Sequence, residues 1–210
     1  MSQPDEISRA GGVRVAHPLF QTEGSGSTPT SALELIVEMV PFLFAKELNA
    51  QWHSRLPEFG TGCVTNMKFL SYAARFGDES YAVAIWSNPV ARLLPQAQWL
   101  ELRRFAISPE APKNTASRML GFMARDIRKT HPLITTLISY QDCEAHKGTI
   151  YSAAGWKPTH QHEGCSWNRP NSKNANGTPR TRPDANNSIG PKIRWEWKYA
   201  IQDARRGSGG

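Results

Sequence analysis

Apolar positions along the chain fall into short runs, some with the alternation of a strand and some with the three- and four-residue steps of a helix. Residues 33–40, LELIVEMV, alternate Leu35, Val37 and Met39 with polar neighbours, with Ile36 and Val40 out of phase, and predict a strand. Pro41 suits the first turn of a helix, PFLFAKELNAQW, in which Phe44, Leu48 and Trp52 recur at four-residue steps. MKFLSYAARF and SYAVAIWS lie on either side of Gly77-Asp78 and predict a β-hairpin. WLELRRFAI (99–107), bounded by Pro95 and Pro109, predicts a further strand.

The clearest helix is TASRMLGFMARDIRKTHP, where Ala116, Met119, Leu120, Met123, Ala124 and Ile127 make one apolar face. Asn114 or Thr115 can cap its start, Arg128 and Lys129 suit its C-terminal dipole, and Pro132 ends it. TTLISY (135–140) is a β-rich strand, HKGTIYSAAGW (146–156) a short helix ending near Gly155, and WKPTHQHEGCSW a strand again. In IRWEWKYAI, Ile193, Trp195, Trp197 and Tyr199 alternate with charged residues, as in a last half-buried strand.

The predicted order is β-α-β-β-β-α-β-α-β-β, with no internal repeat, and indicates a mixed α/β sheet with helices on its faces. A length of 210 residues with seven Trp suits one domain with a proper core, over 31–168 and closed by a final strand at 192–201. Residues 1–30 read as a flexible leader, 169–191 as a flexible basic linker and 202–210 as a flexible tail. No apolar stretch is long enough to span a bilayer, and MSQPDEISRAGG lacks the apolar core of a secretory signal. Three widely spaced cysteines with no CxxC pair suit free thiols, so a cytoplasmic protein is expected.

The net charge of +7 is unevenly placed. Residues 1–168 carry 16 Lys/Arg against 15 Asp/Glu, and residues 169–210 carry 9 against 3, so nearly all the basic excess lies in the C-terminal fifth. Such an arm is an electrostatic footprint for phosphates, or a solvated tail that keeps the chain soluble.

The succession WLELRRFAI, PKNTASRMLGFMARDIRK, TTLISY and GTIYSAAGW resembles the GNAT acyltransferases. Within that fold, WHSRLP, LELRRFAI, PKNTASRML, SYQD and GTIYSAAGW, in this order over about residues 33–167, resemble the phage Mom-type DNA modification proteins. The resemblance implies a mostly antiparallel central sheet flanked by helices. It also implies transfer of a carbamoylmethyl-type group to the N6 amine of adenine in DNA, with an anti-restriction role in a phage-infected or lysogenic bacterium. DNA is then the partner. Because a base inside a duplex is inaccessible, the adenine would be flipped out between stacking side chains, for which Tyr140, Tyr151 and Trp52 are candidates. Two competing readings are an acetyl-CoA-dependent N-acetyltransferase and a non-catalytic nucleic-acid-binding module on the same scaffold.

In GNAT proteins a glycine-bearing loop before the central helix receives the pyrophosphate of coenzyme A. Here that loop reads Lys113-Asn114-Thr115-Ala116-Ser117-Arg118, with no glycine. Amides and hydroxyls at a helix N-terminus still bind anions, helped by Lys113 and Arg118. The donor is therefore open between acetyl-CoA, another CoA-like molecule and something different. Ser117 is a hydroxyl donor to phosphate or a helix cap. Tyr151 is placed near the transferred group by the resemblance.

Asp142, just past a strand end, is a candidate general base or a turn-capping Asp. Tyr140 stacks on or hydrogen-bonds a base, or is core. Arg103 and Arg104 alternate onto opposite faces, and the motif match favours Arg104 for an anion contact. His53 and Ser54, in WHSRLP, border the acceptor pocket by the resemblance, with His53 a base, a metal ligand or a helix cap. The resemblance also brings in iron, for which the sequence offers only His53 with Asp142 and no defined ligand set.

Overall fold

The structure is a computed structural model that describes residues 28–53, 56, 69–164, 173, 176–178 and 190–200. The expected leader up to residue 27, Ser54, most of the expected linker and the tail lie outside the described residues. The elements are β1 (Ile36–Met39), α1 (Phe42–Trp52), β2 (Leu70–Phe76), β3 (Glu79–Ser87), β4 (Trp99–Ile107), α2 (Thr115–Thr130), β5 (Thr136–Asp142), α3 (Thr149–Ala153), β6 (Lys157–His162) and β7 (Lys192–Lys198). Their order is the one the periodicity predicts.

The strands form one seven-stranded sheet in the order β1-β2-β3-β4-β5-β7-β6. Every neighbouring pair is antiparallel except β4 with β5, which are parallel and joined through α2. A parallel pair needs a crossover, and α2 is the helix that makes it. The last strand, β7, inserts between β5 and β6, so the C-terminal segment is integral to the sheet.

The core is asymmetric. On one face α2 lays Ala116, Met119, Leu120, Met123, Ala124 and Ile127 against the sheet, all buried as their spacing predicts. Trp86 sits fully buried beneath this helix, its indole Nε1 donating to the Met123 sulfur at 3.1 Å. Tyr151, Trp156 and Trp195 extend the same layer under α3. The alternation in β7 is as read from the sequence. Ile193, Trp195 and Trp197 pack toward the α2 core, and the register sets Lys192, Arg194, Glu196 and Lys198 on the opposite face.

On the other face α1 crosses β2, β3 and β4. Its buried positions are Ala45 and Asn49, flanked by half-buried Phe42, Leu48 and Trp52. Phe44, expected on the buried stripe, is not in this cluster, because the small Ala45 is what lets the helix approach Val83, Ile85 and Ala106. The first strand is also shorter than the alternation suggested. Residues Ala32–Glu34 form a 3-10 turn, stabilised by Ser31 Oγ accepting from the Leu33 amide and by Glu34 accepting from the Thr30 amide.

No described helix is long and apolar enough to cross a membrane.

The packing under α2 yields a direct test. Leu120→Ala removes a fully buried side chain from the layer between helix and sheet. Equilibrium urea denaturation is expected to show a loss of about 2–5 kcal/mol, with the slope unchanged.

Candidate functional site

The site begins with a departure from strand alternation in β4. Its partner β3 pairs Ile85 with Arg104 but Trp86 with Leu102, so the ladder skips Arg103. A bulge of this kind places two residues of one strand against one of its neighbour and bends the strand. Leu102 and Phe105 both pack toward the α2 core although three positions apart. Arg103 and Arg104 therefore both fall on the α1 face. The sequence expectation that they lie on opposite faces is corrected by this bulge.

The parallel ladder between β4 and β5 ends at the same point. Its last pair is Leu102 with Ser139, yet β4 continues to Ile107 and β5 to Asp142. Past that pair the two strands part. The opening lies at the C-terminal ends of a parallel pair, where open α/β sheets place ligands. The start of α2, which follows β4, is at this same end.

Glu101 precedes the bulge on the α1 face and was not singled out from the sequence. It is 7% exposed; its Oε2 accepts from the Val90 amide at 2.9 Å, and its Oε1 lies 3.5 Å from Arg103 Nε. Burial pushes its carboxyl pKa up, while the Val90 amide, Arg103 and Arg104 oppose the rise. The signal for it in the sequence was a Glu flanked by two leucines in a strand (LEL), an acid that its neighbours bury. Arg104 Nη1 donates to the Arg103 carbonyl at 2.7 Å, which folds the guanidinium back along the strand.

His53 caps the C-terminal end of α1 and is half-buried. Its Nδ1 accepts from the Leu56 amide at 3.2 Å. A neutral imidazole accepting at Nδ1 carries its proton on Nε2, so that nitrogen is a donor. Burial lowers the His53 pKa, and the nearby charges of Arg104 and His146 lower it further. His53 is thus a neutral hydrogen-bond donor beside Arg104 rather than a ready base. His146, which the sequence reading left unassigned, reaches the group from the turn after β5.

That turn is fixed by Gln141 and Asp142. Gln141 accepts from the Trp195 indole at 2.7 Å through Oε1 and donates to the His146 carbonyl at 2.6 Å through Nε2. Asp142 Oδ1 accepts from the Glu144 amide at 3.1 Å, and its carbonyl accepts from the amides of Ala145 and His146. Asp142 thus takes the turn-capping position at the mouth of the opening. Gly148 follows with φ of 73°, and a Cβ there would lie 2.7 Å from the Trp195 ring.

Tyr140 is half-buried on the α1 side of the sheet, in register with Arg194. Burial raises its phenol pKa, and a hydrogen bond with Arg194 works against the rise. Its ring centroid is 6.4 Å from that of His162. Tyr151, expected near the transferred group, reaches Ser139, the last residue of β5 that pairs with β4. It is buried on the α2 side, its hydroxyl is 2.8 Å from Ser139 Oγ, and its ring stacks on Trp195 at 5.4 Å. It ties α3 to β5 and β7, and one face of its ring is covered by Trp195. Trp52 packs against the cluster under α1. Tyr140 stands beside the opening on the α1 side, one residue past the last ladder pair.

The loop before α2 keeps its backbone shape without glycine. Asn114 takes a φ of 68°, the one positive φ outside glycine among the described residues, and asparagine tolerates that region better than most side chains. Lys113 and Asn114 are exposed. Neither Asn114 nor Thr115 caps the helix by a side chain as expected; Thr115 Oγ1 donates to the Pro112 carbonyl at 2.7 Å. Ser117 Oγ donates to the Asn114 carbonyl at 3.2 Å, and Arg118 Nη2 bonds the Leu33 and Leu35 carbonyls at 3.3 Å each. The hydroxyls and Arg118 are thus used within the protein. What remains to face an anion is Lys113 and the first-turn amides of Ala116 and Ser117, which have no preceding helical carbonyl.

For a metal the fit is poor. No three His, Cys, Asp or Glu side chains converge among the described residues, and His53 Nδ1 and Asp142 Oδ1 each already accept a backbone amide.

The profile of the Mom protein family matches residues 34–203. No curated protein sequence matches the chain. Among solved structures, the ribosomal-protein-S18-alanine N-acetyltransferase from Escherichia coli is 12% identical, with a TM-score of 0.53 over 82% of this chain and 99% of that one. A Bacillus subtilis acetyltransferase in complex with CoA is 12% identical, with a TM-score of 0.51 over 79% and 99%. A GNAT family acetyltransferase from Elizabethkingia anophelis with acetyl-CoA bound is 9% identical, also at 0.51 over 79% and 99%. At such identities the likeness establishes the fold, which is the GNAT acetyltransferase fold.

The electrostatics around His53 lead to a measurable consequence. Its folded pKa lies below the ordinary 6.5, so the unfolded chain takes up the proton first as pH falls. Its contribution to stability is therefore constant above about 6.5, declines below that pH, and levels off once the folded imidazole is itself protonated. In an NMR titration, Arg104→Gln is expected to raise the His53 midpoint toward the free value, with Nε2 protonated in the neutral form. An unchanged midpoint would show that Arg104 does not act on it.

Proposed function

The chain belongs to the Mom protein family, and on that premise we propose that it transfers a small carbamoylmethyl-type group to the N6 amine of adenine in DNA. The observation that carries the reading is the opening between β4 and β5. It lies at the end of the sheet where α2 starts and where Tyr140, His53, Arg104 and Asp142 stand. A group transferase needs a donor and an acceptor to meet at one point, and binding them together removes much of the entropic barrier.

In this reading the flipped adenine stacks on Tyr140, and its amine meets the donor where the strands part. The His53 Nε2–H donates a hydrogen bond to the acceptor or to charge developing on the donor, a role that suits a neutral imidazole held by Leu56. Arg104 adds positive charge at the same place. As the amine nitrogen forms its bond to the donor carbon, the bond from that carbon to its leaving group breaks, the rest of the donor departs with the bonding pair, and Asp142 takes the amine proton.

A CoA-like donor fits the start of α2 through Lys113 and the amides of Ala116 and Ser117. Bound there, it would supply an activated carbon and an anionic handle. The inward commitment of Thr115, Ser117 and Arg118 means that the main chain does most of the holding. The cationic C-terminal segment supports the DNA reading over a protein or small-molecule acceptor.

Expression in a bacterium followed by mass spectrometry of total-DNA nucleosides tests the proposal. A modified deoxyadenosine is expected with the parent chain, falling at least about a hundredfold with Asp142→Asn, the scale of general base catalysis. An unchanged deoxyadenosine profile with folded, abundant protein would remove the DNA reading. In a thermal-shift titration the donor class is read separately: coenzyme A is expected to raise Tm, and Lys113→Ala to shrink that rise.

A further inference from the structure

Among the described residues α1 packs mainly over β2, β3 and β4, and no helix packs broadly over the half of the α1 face formed by β5, β7 and β6. Cross-strand register lines up Tyr140, Arg194 and His160 in one row, and Asp142, Lys192 and His162 in the next. All six residues of β6 are exposed, although it is a strand of the main sheet. The rings of His160 and His162 meet edge to face at 4.2 Å, and His162 adjoins Tyr140 at 6.4 Å. The Arg194 guanidinium lies over the Trp99 ring, 5.8 Å from its centroid. Planar groups thus run from the mouth of the opening to the edge of the sheet.

The charge on this face is cationic for a structural reason. Glu196 is 4% exposed and is answered twice, by Arg194 at 2.9 Å and by Lys198 at 3.2 Å. The acid lies beneath, and the Lys198 side chain is 67% exposed above it. Lys192 adds a further cation at the end of the strand. Exposed flat rings interleaved with cations match a partner that has both unpaired base faces and phosphates. A duplex offers phosphates alone to such rings, and an acidic peptide offers nothing to stack.

We propose that this sheet face is the platform for an unpaired stretch of DNA strand next to the reacting base, with His160, His162 and Tyr140 taking base faces and Lys192 and Lys198 the phosphates. The inference rests on the DNA reading above and assigns the surface that would hold the strand once it is opened. It also places part of the basic C-terminal excess in the sheet itself, on β7.

Fluorescence anisotropy with a labelled single-stranded oligodeoxynucleotide of about a dozen nucleotides, the site size of such platforms, tests it without any donor. The parent chain is expected to bind, and His160→Ala/His162→Ala to weaken binding about tenfold or more. Lys192→Ala is expected to lower the slope of log affinity against log salt by about one unit. Both histidines are exposed on an edge strand, so an unchanged Tm certifies the double variant as folded. No binding by the parent chain, or unchanged affinity in the folded double variant, would overturn the platform. If DNA is modified in cells while the double variant binds normally, only the platform falls. If binding is lost in the double variant but the parent chain leaves adenine unmodified, the platform stands and the proposed reaction falls.

Discussion

The bulge at Arg103 is the constraint on which the rest of the site depends. One extra residue in β4 rotates the strand out of phase, so two consecutive arginines share a face instead of alternating. At that residue the parallel ladder with β5 also ends. An unpaired backbone stretch in the middle of a sheet is costly unless something else receives its polar groups. Here the split leaves an opening at the start of α2, flanked by His53 and by the turn that Gln141 and Asp142 hold in place. The surrounding core is built to keep this split fixed. Trp86, Met123, Tyr151 and Trp195 lock α2 and α3 to the sheet, which leaves little freedom for the strands to re-pair.

Buried polar contacts then set the chemistry of each group. His53 is kept neutral because burial and the neighbouring Arg104 both oppose its charging, and the Leu56 amide decides which nitrogen holds the proton. Glu101 is forced underneath the arginines, where it balances them and anchors the Val90 loop. Asn114 supplies the left-handed turn that a glycine would supply, and the hydroxyls behind it bond the backbone. What the loop offers to the proposed donor is thus chiefly main-chain amides.

Much of the fold was legible in the sequence because periodicity reports burial. The α2 stripe from Ala116 to Ile127 and the alternation of Ile193, Trp195 and Trp197 each name one buried face and were read as such. On α1 the expected stripe holds at Leu48 and Trp52, and the departure is at Phe44, because close helix–sheet approach favours the small Ala45 beside it. The site was legible as a region and less so as a set of side chains. A bulge has no periodic signature, so Arg103 and Arg104 were assigned to opposite faces. Tyr151 matched an expected motif position, but the pairing of its hydroxyl with Ser139 is a contact between segments that local pattern does not report. The inward bonds of Thr115, Ser117 and Arg118 were hidden for the same reason.

Deleting Arg103 addresses the central claim most directly. Removal of the bulged residue lets β4 pair continuously with β3 and keeps residues 104–107 on their present faces, while it removes the irregularity that coincides with the split from β5. The quantity to measure is the fraction of modified adenine in DNA from cells expressing the deletion variant, with folding certified by a cooperative thermal transition. The account predicts a folded protein in which modification is lost relative to the parent chain. A folded deletion variant that modifies adenine at the parental level would contradict it, because the opening at the bulge would then not be where transfer occurs.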